Sequence, residues 1–168
     1  MEFADVIRSR QSVREYSHQK IQRSLLKELC VSGLAAPSAN NKKPCEFIVI
    51  EDREKLIKLS SLKPQWSMLK QAAAAILVLG RYDKYFQQNC AAATENILLD
   101  ATSRQIGSVW LGLYPNKDIV QAVKELFKLP ETIEPFCFVS LGYPQQNIQK
   151  YVEYDFSKIY FEAYNKNA

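Results

Sequence analysis

Hydrophobic positions along the chain change their period several times, and each change predicts an element. From Glu2 to Arg8, Phe3, Val6 and Ile7 recur at helical spacing and predict a short first helix. RQSVREY, Arg10 to Tyr16, has no such period and reads as an extended or loop segment. Leu25, Leu26, Leu29, Cys30 and Gly33 share one face of a predicted helix over 22–34, which Pro37 prevents from simply continuing. EFIVI, Glu46 to Ile50, is continuously apolar after its first residue and predicts a strand covered on both faces. Two short helices are expected at Arg53–Leu59 and Trp66–Gln71, then a buried strand from Ala74 to Leu79 that stops before Gly80. The longest predicted helix spans Gln88 to Arg104, about 25 Å at 1.5 Å per residue. Its stripe of Ala91, Thr94, Ile97, Leu98 and Ala101 is broad and rich in small residues, which predicts close packing on more than one side. A strand over Ser108–Leu113, a helix over Lys117–Leu126 and the strand FCFVSLG, after Pro135 and ending at Gly142, complete the pattern.

Helices alternating with buried strands imply a layered α/β or α+β fold. The 168 residues are enough for one domain with a sizeable core. The segment 145–168 carries four tyrosines and two phenylalanines, too aromatic for a linker. It is expected to pack on its own domain or across another subunit.

Composition narrows the function classes. A 47% hydrophobic content excludes global disorder. The net charge of +4 is mild and its lysines and arginines are spread out, so no concentrated nucleic-acid face is expected. Cys30, Cys45, Cys90 and Cys137 show no CxxC spacing, and with the single His18 they make no recognisable metal site. Reduced, buried thiols are the plain reading; a thiol-redox role for Cys45 and Cys90 gets little support from spacing. No secretory leader and no apolar run of membrane-spanning length is visible, which predicts a cytoplasmic protein.

Three stretches offer binding chemistry. Arg10, Ser12 and Arg14 alternate, so an extended backbone would turn two guanidiniums and a hydroxyl to one side, a reasonable phosphate or carboxylate clamp. A solvated basic loop has the same composition. APSANNKKP offers backbone groups among short side chains, with Asn40 and Asn41 able to donate and accept; a turn-rich connection would look alike. In QIGSVWLG, Gly107 permits close backbone approach and Ser108 offers an amide and a hydroxyl. There Gly107 could equally be an ordinary helix cap. No GxSxG, HExxH or three-glycine dinucleotide fingerprint occurs.

Taken in order, RQSVREY, APSANNKKP, NILLDATSRQIGSVWLG and LPETIEPFCFVSLGYP resemble the nitroreductase family in its short, single-domain form. The resemblance covers nearly all of Met1 to Pro144. It implies an α+β fold with a mixed central sheet flanked by helices, non-covalently bound FMN, and a homodimer with two flavins at the interface. It also implies hydride transfer from NADH or NADPH to flavin N5 and on to a nitroaromatic, quinone or similar acceptor in ping-pong order. The chemistry would sit on the flavin, so no catalytic side chain and no metal is expected.

By resemblance, Arg10, Gln11 and Ser12 address the phosphate and ribityl end, and Arg14 the N1 and O2 edge. Pro37, Ser38, Ala39 and Asn41 form a second flavin loop, reaching the partner subunit's cofactor. Gln65 reads the pyrimidine edge, and Gly107 and Ser108 lie beside the ring system. Lys150, or more remotely Lys158, stands where relatives place a phosphate-holding cation. The chain departs from the family where Lys43, Pro44 and Cys45 replace glutamine, proline and tryptophan, and the lid insertion of larger relatives is absent. An FMN-binding protein with a storage or sensing role and little reductase activity is the alternative.

Overall fold

A computed structural model describes residues 2–146 and 154–164. Its centre is a four-stranded sheet of β1 (Cys45–Ile50), β2 (Ala74–Arg81), β3 (Gly107–Gly112) and β4 (Ile133–Gly142), in the order β1-β2-β4-β3. The three strand pairs are antiparallel. Parallel character enters at the β3 edge, where Ser12 bridges to Ser108. The helices are α1 (Phe3–Ser9), α2 (Arg23–Leu34), α3 (Arg53–Ser60), α4 (Phe86–Ser103) and α5 (Lys117–Phe127).

Alternation along β2 shows why the sheet strands read as unbroken apolar runs. Ala75, Leu77 and Leu79 enter one core with Leu56, Leu59, Trp66 and Val123, contributed by α3, α5 and the segment between α3 and β2. Ala74, Ile76 and Val78 enter a second core with Leu26, Leu29, Ala93 and Ile97 of α2 and α4. Both sheet faces are therefore covered, and neither can be polar. On one side, α2 and α4 pack so closely that Gly33 is needed. A Cβ there would stand 2.6 Å from the Phe47 ring and 3.0 Å from Ile97.

Three expectations need correction. The predicted helix over 66–71 is a 3₁₀ helix, Pro64–Lys70, opened by proline at its first turn. Gly80 does not end β2, which continues to Arg81 with Gly80 paired to Cys45 and Glu134. Its missing side chain serves packing instead, since a Cβ would lie 2.8 Å from Cys90 Sγ and 3.1 Å from the Phe86 ring. Pro135 lies inside β4 rather than before it. The register there jumps from Val78–Cys137 to Leu79–Pro135, so the residue lacking an N–H sits at a bulge.

The described part of the tail, 154–164, leaves Tyr154, Phe156, Ile159 and Phe161 exposed on their own chain. Among the described residues no helix is long and apolar enough to cross a membrane.

Candidate functional site

The segment after α1 is held on the β3–β4 edge by two facing glycines. Gly107 and Gly142 are paired across the strands. A Cβ on Gly107 would meet Val13 Cγ1 at 2.8 Å, and one on Gly142 would meet Tyr16 Cγ at 2.6 Å. The slot so formed admits Val13 and Tyr16, both buried. Backbone bonds complete the attachment: Val13 N–H donates to Ser108 O at 2.9 Å and Ser17 N–H to Tyr143 O at 2.8 Å. Alternation then leaves Ser12 and Arg14 exposed. Gly107 is thus a packing glycine toward Val13. It is no helix cap either, because the left-handed residue after α4 is Gln105, with φ of 60°.

Tyr16 is the anchor of this arm. Its hydroxyl donates to Val13 O at 2.8 Å and contacts Ser140 Oγ at 3.1 Å. Burial pushes its pKa from 10.0 up to about 12, against lowering by the Ser140 bond and by the Arg14 charge. Burial likewise pushes the Cys137 thiol from 9.0 to about 12, opposed by its contact with Thr94. Both groups hold their protons more tightly folded than unfolded. Their contribution to stability is complete below the unfolded values and is lost as pH rises through the folded ones. Urea midpoints are therefore expected to fall between pH 9.0 and about 12, and Tyr16→Phe to flatten the upper part of that fall. An unchanged slope in the variant would remove Tyr16 as its source.

A groove of about 820 Å³ opens beside the arm, lined by Arg14, Gln65, Ser67, Lys70, Trp110 and Gly112 among others. The 3₁₀ helix brings Gln65 there through three restraints. Trp66 is buried edge-on against Phe138, with ring centroids 5.8 Å apart. Arg53 donates to Leu69 O at 2.7 Å and Ala72 O at 3.3 Å. Lys63 donates to Gly112 O at 3.3 Å and lies over the Trp66 ring. Arg10 stands at the end of α1, its Nε 3.6 Å from Glu95 Oε1 of α4.

Pro37, Ser38, Ala39 and Asn41 lie elsewhere, on the α2–α4 side of the sheet. Pro37 and Ser38 line a separate small concavity with Lys43, Cys45 and Asn89. This loop keeps Asn40, Asn41 and Lys43 at φ of 54°, 52° and 47°, conformations that asparagine tolerates far better than lysine. Lys43 N–H donates to Ser38 Oγ at 2.8 Å, and Ala39 N–H to Asn89 Oδ1 at 3.0 Å. One chain therefore keeps the Pro37–Asn41 loop apart from the groove of Arg14 and Gln65, while Arg10 reaches toward Glu95 of α4.

Lys150 lies outside the described residues. Lys158 pairs with Asp155 at 3.3 Å. Sequence reasoning missed Asn89, Lys63 and Arg53, which position the candidates from distant elements. Asn89 alone left a signal, a polar residue among the buried positions of α4.

The donors fit a phosphorylated heteroaromatic cofactor. Two guanidiniums, the Ser12 hydroxyl and the Gln65 amide suit a phosphate and a polar ring edge. Ser108 Oγ is buried without a hydrogen-bond partner among the described residues, and the groove has the size of a small-ligand site.

Comparison with known proteins gives the same direction. The nitroreductase family matches residues 7–78 and 60–143. A relative from Archaeoglobus fulgidus, provisionally named NADH dehydrogenase/NAD(P)H nitroreductase, is 44% identical over 146 residues, 83% of this chain and 84% of its own. A crystal structure from Bacteroides thetaiotaomicron with the same provisional name superposes with a TM-score of 0.92 at 36% identity, covering 96% of this chain and 98% of that one. An FMN-dependent nitroreductase from Clostridium difficile gives 0.89 at 25% identity, covering 96% and 99%. The chain therefore belongs to the nitroreductase family and is an oxidoreductase of its NAD(P)H- and FMN-dependent kind.

Proposed function

We propose that the groove beside the Arg10–Arg14 arm holds FMN, with Arg10, Gln11 and Ser12 at its phosphate and ribityl end and Arg14 and Gln65 at its ring edge. The observation that carries this reading is the convergence of Arg14, Gln65 and the end of β3 on one groove from three distant stretches of sequence. Bound there, FMN would supply two-electron redox chemistry between NAD(P)H and a nitroaromatic, quinone or similar acceptor, the two using the same place in ping-pong order. The chain's own contribution is positioning and charge. Arg14 and Lys70 bring positive charge to the groove, which favours a cofactor that gains negative charge on reduction. Val13 and Tyr16 hold the backbone that carries Arg14, and Arg53 holds the end of the 3₁₀ helix that carries Lys70, so both are placed before the ligand arrives.

The Pro37–Asn41 loop serves the groove of a second copy in this reading, because it lines a concavity that shares no residue with its own chain's groove. A homodimer would also cover Phe3 and Ile7 of α1 and Val31 and Leu34 of α2, large apolar side chains that are exposed in one chain.

Purified protein is expected to carry the visible absorbance of oxidised flavin, to lose it on anaerobic addition of NADH or NADPH, and to regain it with a quinone. Flavin that neither nicotinamide bleaches would leave a storage or sensing role in place of the reductase. Sedimentation of the flavin-loaded form as a monomer would remove the shared-site arrangement.

A further inference from the structure

We propose that Cys45 and Cys90 are a peroxide-oxidisable thiol pair that closes to a disulfide inside one chain, beneath the Pro37–Lys43 loop. Their sulfurs are 3.9 Å apart although the residues are 45 positions apart in sequence. Cys45 opens β1 directly after Pro44, and Cys90 lies on α4 next to Asn89. The approach is made possible by Gly80. This residue is paired with Cys45 across β1 and β2, and a Cβ on it would come within 2.8 Å of Cys90 Sγ. Any larger residue there would collide with the Cys90 sulfur.

The two thiols are not equivalent. Cys45 is 9% exposed and lines the small concavity under the loop, of about 10 Å³, with Pro37, Ser38 and Lys43, while Cys90 is 0% exposed. A small oxidant therefore reaches Cys45 first. The contact with Cys90 favours ionised Cys45, and the same contact together with burial holds Cys90 protonated. Cys137 is turned to another partner, Thr94 Oγ1 at 3.3 Å.

The oxidant is a hydroperoxide, and the chemistry balances in two steps. The Cys45 thiolate attacks one peroxide oxygen, the O–O bond breaks, and hydroxide leaves, giving a sulfenic acid. Cys90 then loses its proton and attacks Cys45 Sγ. The S–S bond forms and the sulfenic oxygen departs as water. In sum two thiols are oxidised, one hydrogen peroxide is reduced, and two waters are produced. Closure shortens the sulfur separation from 3.9 Å to about 2.05 Å. It would tie the start of β1 to α4 next to Asn89, the residue whose Oδ1 holds Ala39 N–H.

The test treats the full chain, freed of reductant, with graded hydrogen peroxide. Free thiols are then capped with N-ethylmaleimide under denaturing conditions and the peptides are mapped. A Cys45–Cys90 linked peptide and the loss of two cappable thiols per chain are expected, both preserved in Cys30→Ser and Cys137→Ser. In Cys90→Ser, Cys45 is expected to accumulate as a sulfenic acid trapped by dimedone. Absence of the linked peptide at peroxide levels that oxidise Cys30, or linkage through Cys30 or Cys137, would overturn the proposal. Flavin content does not enter the readout, so the result is independent of the cofactor assignment.

Discussion

Replacing Gly142 by valine is expected to destabilise the protein by about 3 kcal/mol, the upper end of what overpacking a core costs, and to abolish flavin retention. A Cβ at this position would lie 2.6 Å from Tyr16 Cγ, 2.7 Å from Cδ1 and 2.8 Å from Cβ. Those atoms cannot move aside by rotating. The ring is 3% exposed, and its hydroxyl is fixed at Val13 O and Ser140 Oγ. The backbone around it is tied down as well, by the Tyr16–Pro144 bridge and by Gln145 N–H donating to Glu15 O at 3.1 Å. The segment must therefore peel from the β3–β4 edge as a unit. Arg10, Ser12 and Arg14 travel with it, which links a packing defect to loss of the proposed cofactor arm. The described glycines all have negative φ, so the effect comes from packing and not from backbone strain. Gly112→Val is the control for stability alone, because nothing lies within 4 Å of its added Cβ although the residue lines the groove. Urea midpoints at unchanged m-value and flavin content after gel filtration report the two consequences. A Gly142→Val protein as stable as the Gly112 control would show that the slot is not what holds the arm.

The same glycines show why part of this structure was legible in sequence and part was not. EFIVI and FCFVSLG announce strands because both faces of the sheet are covered, and α2 and α4 announce themselves through a helical period. Gly80 and Pro135 read as stops, yet both lie inside strands. Local propensity cannot show that Gly80 makes room for Cys90, or that Pro135 coincides with a bulge. The candidate site divides the same way. Of the expected alternation of Arg10, Ser12 and Arg14, the extended backbone accounts for exposed Ser12 and Arg14 around buried Val13, whereas Arg10 caps α1 and faces Glu95. Glu95 and Asn89 sit on the helix that follows β2, and Lys63 and Arg53 flank a 3₁₀ helix whose position only the tertiary fold determines. The Cys45–Cys90 contact is invisible to spacing for the same reason: a strand start and a helix bring together what the sequence keeps far apart.

Arg10→Ala is expected to raise the dissociation constant of FMN about tenfold to a hundredfold while leaving the unfolding free energy within about 0.5 kcal/mol. The two magnitudes come from different environments. Hydrogen bonds to a charged partner contribute about 1.5–3 kcal/mol, and each 1.4 kcal/mol is tenfold in affinity. In the protein alone, Arg10 faces Glu95 at 3.6 Å, with side chains 32% and 47% exposed. A solvated pair at that distance is worth little, so alanine removes almost nothing from the fold. The weak pairing also leaves the guanidinium free to turn to a phosphate at small cost. Glu95→Gln is accordingly expected to change affinity the other way, since it removes both the competing partner and a negative charge near the phosphate. Calorimetric titration of FMN into flavin-free protein measures both variants, and added salt is expected to weaken binding less in Arg10→Ala than in the parent. If Arg10→Ala binds FMN as tightly as the parent, the phosphate is held elsewhere. If it binds weakly but also unfolds early, Arg10 acts through the fold. Only lost affinity on an intact fold, with the opposite sign at Glu95, assigns Arg10 to the cofactor phosphate.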